Sequence, residues 1–146
     1  MKADPGKGVV IDTNVWISAF LTKSGAPATV VRHVIVYGQP VFSLQTYAEL
    51  ETRMWLPKFD RYLSMDDRSQ LLRDANALAR WADVSPAIAA RKFCRDADDD
   101  KFVHAALAAQ APWLITVDQD LLEMPAIAGL LILTPAAALQ LPEFHT

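Results

Sequence analysis

The sequence has few cysteines and no long apolar run, and both shortages limit the kind of protein that it encodes. Its 146 residues include one cysteine, Cys94, which cannot form an internal disulfide, so we expect a reducing, cytoplasmic environment. No apolar run approaches the roughly 20 residues of a membrane-spanning helix, so we expect no membrane partner. Residues 1–7 lack the apolar stretch of a secretory signal, and we expect a flexible lead-in there.

Repeats, low-complexity stretches and an excess of basic residues are also absent. With 52% apolar and 21% charged residues, the composition is that of one folded domain, which we take to span residues 1–146. The net charge of −3 does not favour a nucleic-acid partner, because phosphates bind Lys and Arg. Without the seven acids of the predicted functional region, however, the rest of the chain carries +4. Those acids are Asp12, Glu49, Asp98, Asp99, Asp100, Asp118 and Asp120.

Short β-branched runs alternate with segments of helical periodicity along the chain. Strands are predicted at residues 9–11, 41–43, 82–84, 113–116 and 130–133. Helices are predicted at residues 14–21, 28–37, 45–55, 61–81 and 99–111, and a last short one begins at Pro135. Residues 87–97 show no clear periodicity. This order predicts a three-layer α/β/α, Rossmann-like fold with a central parallel sheet of four to five strands.

Several acids follow the predicted strands, at the sheet edge where ligands usually bind. Asp12 directly follows the first strand, Asp118 lies just beyond Thr116, and Glu49 falls in the helix after the second strand. Taken singly, an Asp at such a place is more often a helix cap or a turn residue. Together, carboxylates at one edge repel each other unless a cation lies among them. Mg²⁺ or Mn²⁺ suits them, because both prefer oxygen ligands, and no Cys/His spacing favours zinc.

Carboxylates that hold such a cation suit phosphoryl chemistry, in which the metal activates water and stabilises an in-line displacement. The sequence therefore predicts a metal-dependent nuclease. An aspartyl-phosphate phosphatase or receiver domain needs a second acid two residues after the first, or an acidic pair with a lysine, and the Asp12-Thr13-Asn14 segment offers neither. A non-catalytic RNA-binding module gains nothing from acids that repel phosphates. A DNA-directed nuclease of the same fold stays an open alternative.

Four segments resemble the PIN-domain nucleases, in particular the bacterial subgroup of toxin components of toxin–antitoxin pairs. Residues 9–14 (VVIDTN) resemble the family's opening strand, which ends in Asp, then Thr or Ser, then Asn. Residues 95–102 (RDADDDKF) resemble the subgroup's Arg-Asp-Pro-Asp-Asp-Asp-x-Phe stretch. Residues 114–122 (LITVDQDLL) resemble its Val-Thr-Gly-Asp-x-Asp-Leu-Leu element, and residues 132–135 (ILTP) its closing strand and turn. The resemblance runs in order over nearly the whole chain.

The resemblance implies a set of catalytic acids that bind the metal, namely Asp12, Glu49, Asp100 and Asp118. Asp99 competes with Asp100 for the third place, because the run of three aspartates leaves the choice to counting alone. The residues implied to hold these carboxylates by hydrogen bonds are Asn14, Thr116 and Asp120. The basic residues close to the aspartate run, which are the candidates for phosphate contacts, are Lys92, Arg95 and Lys101.

Two positions depart from the subgroup's pattern. Ala97 replaces a Pro, which loosens the loop without removing a ligand. Val117 replaces a Gly immediately before Asp118. If that position requires a positive φ, a β-branched residue is strained there and displaces Asp118.

The function implied by the resemblance is that of an endoribonuclease that uses Mg²⁺ or Mn²⁺. It hydrolyses RNA phosphodiester bonds with a metal-activated water. The resemblance also implies the toxin of a type II toxin–antitoxin pair, with RNA as substrate, a cognate antitoxin protein that blocks the cleft, and a homodimer. The number of metal ions stays open.

Overall fold

A computed structural model describes residues 8–145 and contains a five-stranded parallel sheet. In chain order the strands are β1 (Gly8–Ile11), β2 (Gln39–Phe42), β3 (Arg80–Trp81), β4 (Trp113–Ile115) and β5 (Leu131–Leu133). Their order across the sheet is β3-β2-β1-β4-β5, and every neighbouring pair is parallel. The predicted fold class is thus confirmed, with the larger of the two predicted strand numbers. The predicted lead-in, residues 1–7, lies outside the described residues.

Helices connect the strands and cover both faces of the sheet. Their bounds are α1 (Thr13–Leu21), α2 (Ala26–Tyr37), α3 (Leu44–Met54), α4 (Met65–Leu78), α5 (Pro86–Ala89), α6 (Asp100–Ala109), α7 (Gln119–Leu122) and α8 (Pro135–Ala138). Single 3₁₀ turns occur at Pro57–Phe59, Ala97–Asp99 and Pro142–Phe144. Side-chain caps explain several starts: Ser43 caps α3, and Ser64 forms a capping box with Asp67 at the start of α4. Within the described residues, no helix is long and apolar enough to cross a membrane.

Successive side chains of the central strand enter two different cores. Val9 and Ile11 of β1 pack in the core that includes residues of α1, α2, α3 and α4, whereas Val10 packs against α6 and α7. Burial on both faces explains why β1 and β4 read as continuous apolar runs in the sequence. Because both faces of these strands are buried, the polar residues lie in the segments that follow the strands. These segments meet at one edge of the sheet.

The third strand lies earlier in the chain than the sequence predicts. The strand predicted at residues 82–84 is instead β3, and the helix predicted to reach residue 81 ends at Leu78. The reason is pairing with β2: Arg80 lies opposite Val41 in the sheet, and the Ala82 backbone N–H donates to the Phe42 carbonyl at 2.7 Å. Sheet pairing of this kind is a long-range constraint that helical periodicity in α4 does not reveal.

Candidate metal centre

Asp12 lies at the carboxyl end of β1, buried beside β4. Its side chain is 4% exposed, and its Oδ2 accepts a hydrogen bond of 2.6 Å from the Thr116 hydroxyl. The Asp12 backbone N–H donates to the Ile115 carbonyl at 2.9 Å, which fixes the residue against β4. Burial raises the pKa of Asp12 above its ordinary value, the Thr116 hydrogen bond opposes this, and the negative charge of Glu49 adds to it. A desolvated carboxylate of this kind is stabilised by a nearby cation.

Thr116 connects Asp12 with Asp118, which follows β4. The Thr116 hydroxyl accepts a hydrogen bond of 3.0 Å from the Asp118 backbone N–H, while it donates to Asp12. Asp118 then caps α7, because its Oδ1 accepts from the Asp120 backbone N–H at 2.9 Å. Val117 has no positive φ, and its side chain is exposed, so the replacement of Gly at this position causes no strain. Asp12 and Asp118 are therefore placed by one shared hydroxyl group.

Three carboxylates converge beside Asp12. One oxygen each from Asp99, Asp118 and Asp120 lie within 4.8 Å of one another. Asp99 is the last residue of the 3₁₀ turn before α6. Burial raises the pKa of Asp99 to about 7, with further contributions from the charge of Asp118 and from a hydrogen bond shared with it. An all-oxygen donor set under such mutual repulsion fits a hard divalent cation.

Asp100, the first residue of α6, is not part of this group and is bonded to the loop before the 3₁₀ turn. It is 4% exposed, and its Oδ1 accepts two backbone hydrogen bonds, from Phe93 at 3.1 Å and from Cys94 at 2.7 Å. These contacts hold the loop on the first turn of α6. They also affect Cys94, because burial and the adjacent Asp100 raise the pKa of its thiol to about 12. The thiol is therefore protonated at neutral pH.

We call Asp12, Glu49, Asp99, Asp118 and Asp120 the acidic group. Glu49, on α3, lies at the end of this group opposite to Asp99, Asp118 and Asp120, and two basic side chains hold it. Lys101 Nζ is 2.5 Å from Glu49 Oε2, and Arg53 Nη2 is 3.7 Å from Glu49 Oε1. Arg53 also donates to the Asn14 side-chain oxygen at 3.2 Å, so the Asn14 amide reaches Glu49 through Arg53. Burial lowers the pKa of Lys101, but its hydrogen bonds with Glu49 and Asp98 outweigh this and raise it. Lys101 is therefore charged at neutral pH.

The other two candidate phosphate contacts lie at the surface. Lys92 is exposed, and so is Arg95, which lies 3.8 Å from both Asp120 and Glu123. Both are accessible to a ligand that approaches from the solvent. Sequence reasoning missed the pairing of Glu49 with Lys101 and of Lys101 with Asp98. The i, i+3 spacing of Asp98 and Lys101 indicates the second of these pairings in the sequence.

A parallel sheet with buried and converging acids beyond β1 and β4 defines an α/β protein with a candidate divalent-metal centre. The chain belongs to the PIN-domain family, whose sequence model matches residues 8–120. That range contains Asp12, Glu49, Asp99, Asp100, Asp118 and Asp120. The family assignment made from the motifs is thus confirmed.

Two further proteins are similar to this chain. Uncharacterized protein MJ1680 of Methanocaldococcus jannaschii is 30% identical over 121 residues, which cover 80% of this chain and 74% of that protein. The crystal structure of VapBC2 from Rickettsia felis bound to a DNA fragment from their promoter contains a chain with a TM-score of 0.59 and 13% identity. The match covers 86% of this chain and 96% of that chain. At this identity the likeness concerns the fold.

Proposed function

We propose that this protein is a metal-dependent endoribonuclease. The observation that carries the proposal is the convergence of Asp99, Asp118 and Asp120 within 4.8 Å, next to the buried Asp12. Membership of the PIN-domain family supports the same chemistry. Mutual repulsion of these carboxylates lowers the stability of the folded state, and a bound cation removes this repulsion.

Asp12, Asp99 and Asp118 are the proposed ligands of a Mg²⁺ or Mn²⁺ ion, and Asp120 completes the group. When bound, the cation supplies the Lewis acidity that activates a water and offsets charge on the phosphate. The Thr116 hydroxyl fixes the direction of Asp12 and the backbone before Asp118. Asp100 acts as the anchor of the loop that carries Cys94, and not as a ligand. This assigns the third acid of the motif to Asp99.

RNA is the proposed substrate, in keeping with the toxin subgroup that the motifs resemble. The exposed Arg95, which lies 3.8 Å from Asp120, and the exposed Lys92 are suited to contact phosphates of a strand that approaches from solvent. The purified protein should cleave single-stranded RNA in Mn²⁺ or Mg²⁺, and EDTA should stop the reaction. A DNA strand of the same sequence serves as the control substrate. Cleavage that EDTA leaves unchanged contradicts the metal site, and cleavage of DNA alone contradicts the assignment of RNA.

A role as the toxin of a toxin–antitoxin pair is the proposed cellular context. The fold resembles a chain of VapBC2, and an apolar groove of about 360 Å³ between α1, α2 and α4 is suited to an apolar segment of an antitoxin protein. Trp16, Phe20, Leu71 and Leu78 line it. A homodimer is the proposed assembly, and the exposed Tyr62 and Met65 near the start of α4 are candidate contacts in it.

Expression of the protein without its partner should stop bacterial growth, and the Asp12→Asn variant should be harmless at the same expression level. The measurement is colony formation after induction, with protein levels checked on blots. Growth arrest that persists in the Asp12→Asn variant assigns the toxicity to something other than cleavage. Normal growth of cells that express the active wild-type protein overturns the toxin role.

A further inference from the structure

We infer that Lys101 takes the place of a second divalent cation, so that the centre binds one metal ion and Lys101 supplies the other positive charge. The inference rests on the proposed metal centre and specifies its composition. Nucleases of carboxylate type use one or two metal ions, and two ions a few ångströms apart clamp the two sides of a phosphate. The structure places the Lys101 ammonium group against Glu49 and Asp98, two carboxylates that could otherwise offer oxygens to a second ion.

The acidic group has two ends with different surroundings. At one end Asp99, Asp118 and Asp120 converge, and the basic group in contact is Arg95, which is 79% exposed and 3.8 Å from Asp120. At the other end Glu49 is 10% exposed and has Lys101 at 2.5 Å and Arg53 at 3.7 Å. The exposed Arg95 therefore compensates the repulsion at the first end only weakly, whereas two close basic side chains compensate it at the second. A cation is attracted to the first.

The pairing at Glu49 uses both of its oxygens. Oε2 is bonded to Lys101, and Oε1 faces Arg53. Lys101 is itself 18% exposed and lies 3.1 Å from Asp98, so its ammonium group is held between two carboxylates. A divalent ion at Glu49 has to displace this ammonium from its hydrogen bonds. It then lies beside two positive side chains in a partly desolvated place, which is electrostatically unfavourable.

The backbone explains why Lys101 reaches this position. Asp99 ends the 3₁₀ turn and Lys101 belongs to the first turn of α6, so side chains two positions apart point to different ends of the acidic group. Lys101 and Arg53 also line a cleft of about 530 Å³ together with Glu49 and Asp98. A phosphate next to the metal thus meets the ammonium group from the side of this cleft. Lys101 thus has two roles: it positions the Glu49 carboxylate, and it supplies a fixed positive charge to the phosphate.

Counting bound Mn²⁺ ions tests the inference without a cleavage assay. In native mass spectrometry and calorimetric titration, the wild-type protein should bind one ion per chain. Lys101→Met should bind a second, weaker ion, because Glu49 and Asp98 lose their resident cation. The double variant Lys101→Met/Glu49→Gln should return to one ion, and Lys101→Arg, which keeps the charge, should bind one. Lys101→Gln, which keeps a hydrogen bond to Glu49 without the charge, serves if the methionine variant does not fold.

The possible results separate this inference from the proposed function. A wild-type protein that binds no Mn²⁺ overturns the metal centre, and the inference with it. A wild-type protein that binds two ions, or folded Lys101→Met and Lys101→Gln variants that both bind one, overturns the inference alone. A second ion that persists after Glu49→Gln is added shows that it binds elsewhere, which also contradicts the role of Lys101.

Discussion

Replacing Asp12 with Asn should lower RNA cleavage about 1,000-fold, a loss typical of the removal of one essential electrostatic group from an active site. Asn has nearly the same shape and still accepts the hydrogen bond from the Thr116 hydroxyl, which is 2.6 Å from Asp12 in the wild-type protein. The variant loses the negative charge that attracts the cation. Because burial and Glu49 raise the pKa of Asp12, removing its charge should not destabilise the fold.

Single-turnover cleavage rates in Mn²⁺ measure this effect, and thermal unfolding of the same samples reports on the fold. Asp66→Asn is the matched control, because Asp66 is exposed in the first turn of α4 and lies outside the acidic group. The control should cleave at the wild-type rate. If Asp12→Asn cleaves RNA within a few-fold of the wild-type rate, Asp12 is not part of the active centre.

The central part of the fold could be predicted because its local signals and its tertiary role agree. The run Val9-Val10-Ile11 is buried on both faces of the sheet, and its composition shows that directly. The helix predicted from residue 61 begins four residues later, as α4, where Ser64 and Asp67 form a capping box. β3 was misplaced because two residues carry no periodicity of their own. Their conformation depends on β2, which lies almost forty residues earlier.

The candidate site could be predicted only to the level of its elements. Residues that follow β1 and β4 meet at one sheet edge in any fold of this topology, so Asp12 and Asp118 were natural candidates. The choice between Asp99 and Asp100 depends on the 3₁₀ turn at Ala97–Asp99. No pattern in residues 87–97 predicts this turn. The contact between Glu49 and Lys101 joins two helices that are distant in sequence. A single sequence contains no direct signal for such a pair.

The three consecutive aspartates illustrate how one motif carries three different roles. Asp98 pairs with Lys101 at 3.1 Å, and Asp99 belongs to the converging carboxylates. Asp100 accepts two backbone hydrogen bonds from the preceding loop. The change from a 3₁₀ turn to an α-helix at this point rotates adjacent side chains to different sides. The same residue type therefore forms a salt bridge at Asp98, joins the proposed metal centre at Asp99 and holds the preceding loop at Asp100.

Asp99→Asn and Asp100→Ala should have opposite effects on stability and on metal binding. Asp100→Ala leaves the backbone N–H groups of Phe93 and Cys94 without their acceptor, which should lower the free energy of unfolding by about 2–3 kcal/mol. The folded fraction of this variant should still bind Mn²⁺. Asp99→Asn removes a carboxylate from the repelling group, so the metal-free protein should gain about 1 kcal/mol. It should lose most of its affinity for Mn²⁺.

The pH dependence of stability separates these two residues further. The folded-state pKa of Asp99 is about 7, above the ordinary value of 3.8, so between these values the folded state binds more protons than the unfolded state. The stability that this proton provides is present at low pH and is lost as the pH rises through about 7. Metal-free wild-type protein should therefore lose stability between pH 5 and pH 8 more steeply than Asp99→Asn, which lacks the titrating group.

Urea unfolding in EDTA at pH 5 to 8, repeated with Mn²⁺, measures both effects in the wild-type protein and the two variants. Mn²⁺ should stabilise the wild-type protein most at pH 8, where Asp99 is ionised, and should leave Asp99→Asn almost unchanged. The free energy of unfolding of Asp100→Ala should be lower than that of the wild-type protein at every pH, and it should change with pH by the same amount. If Asp100→Ala loses the Mn²⁺ effect while Asp99→Asn keeps it, the ligand is Asp100, and the third acid of the centre has to be reassigned.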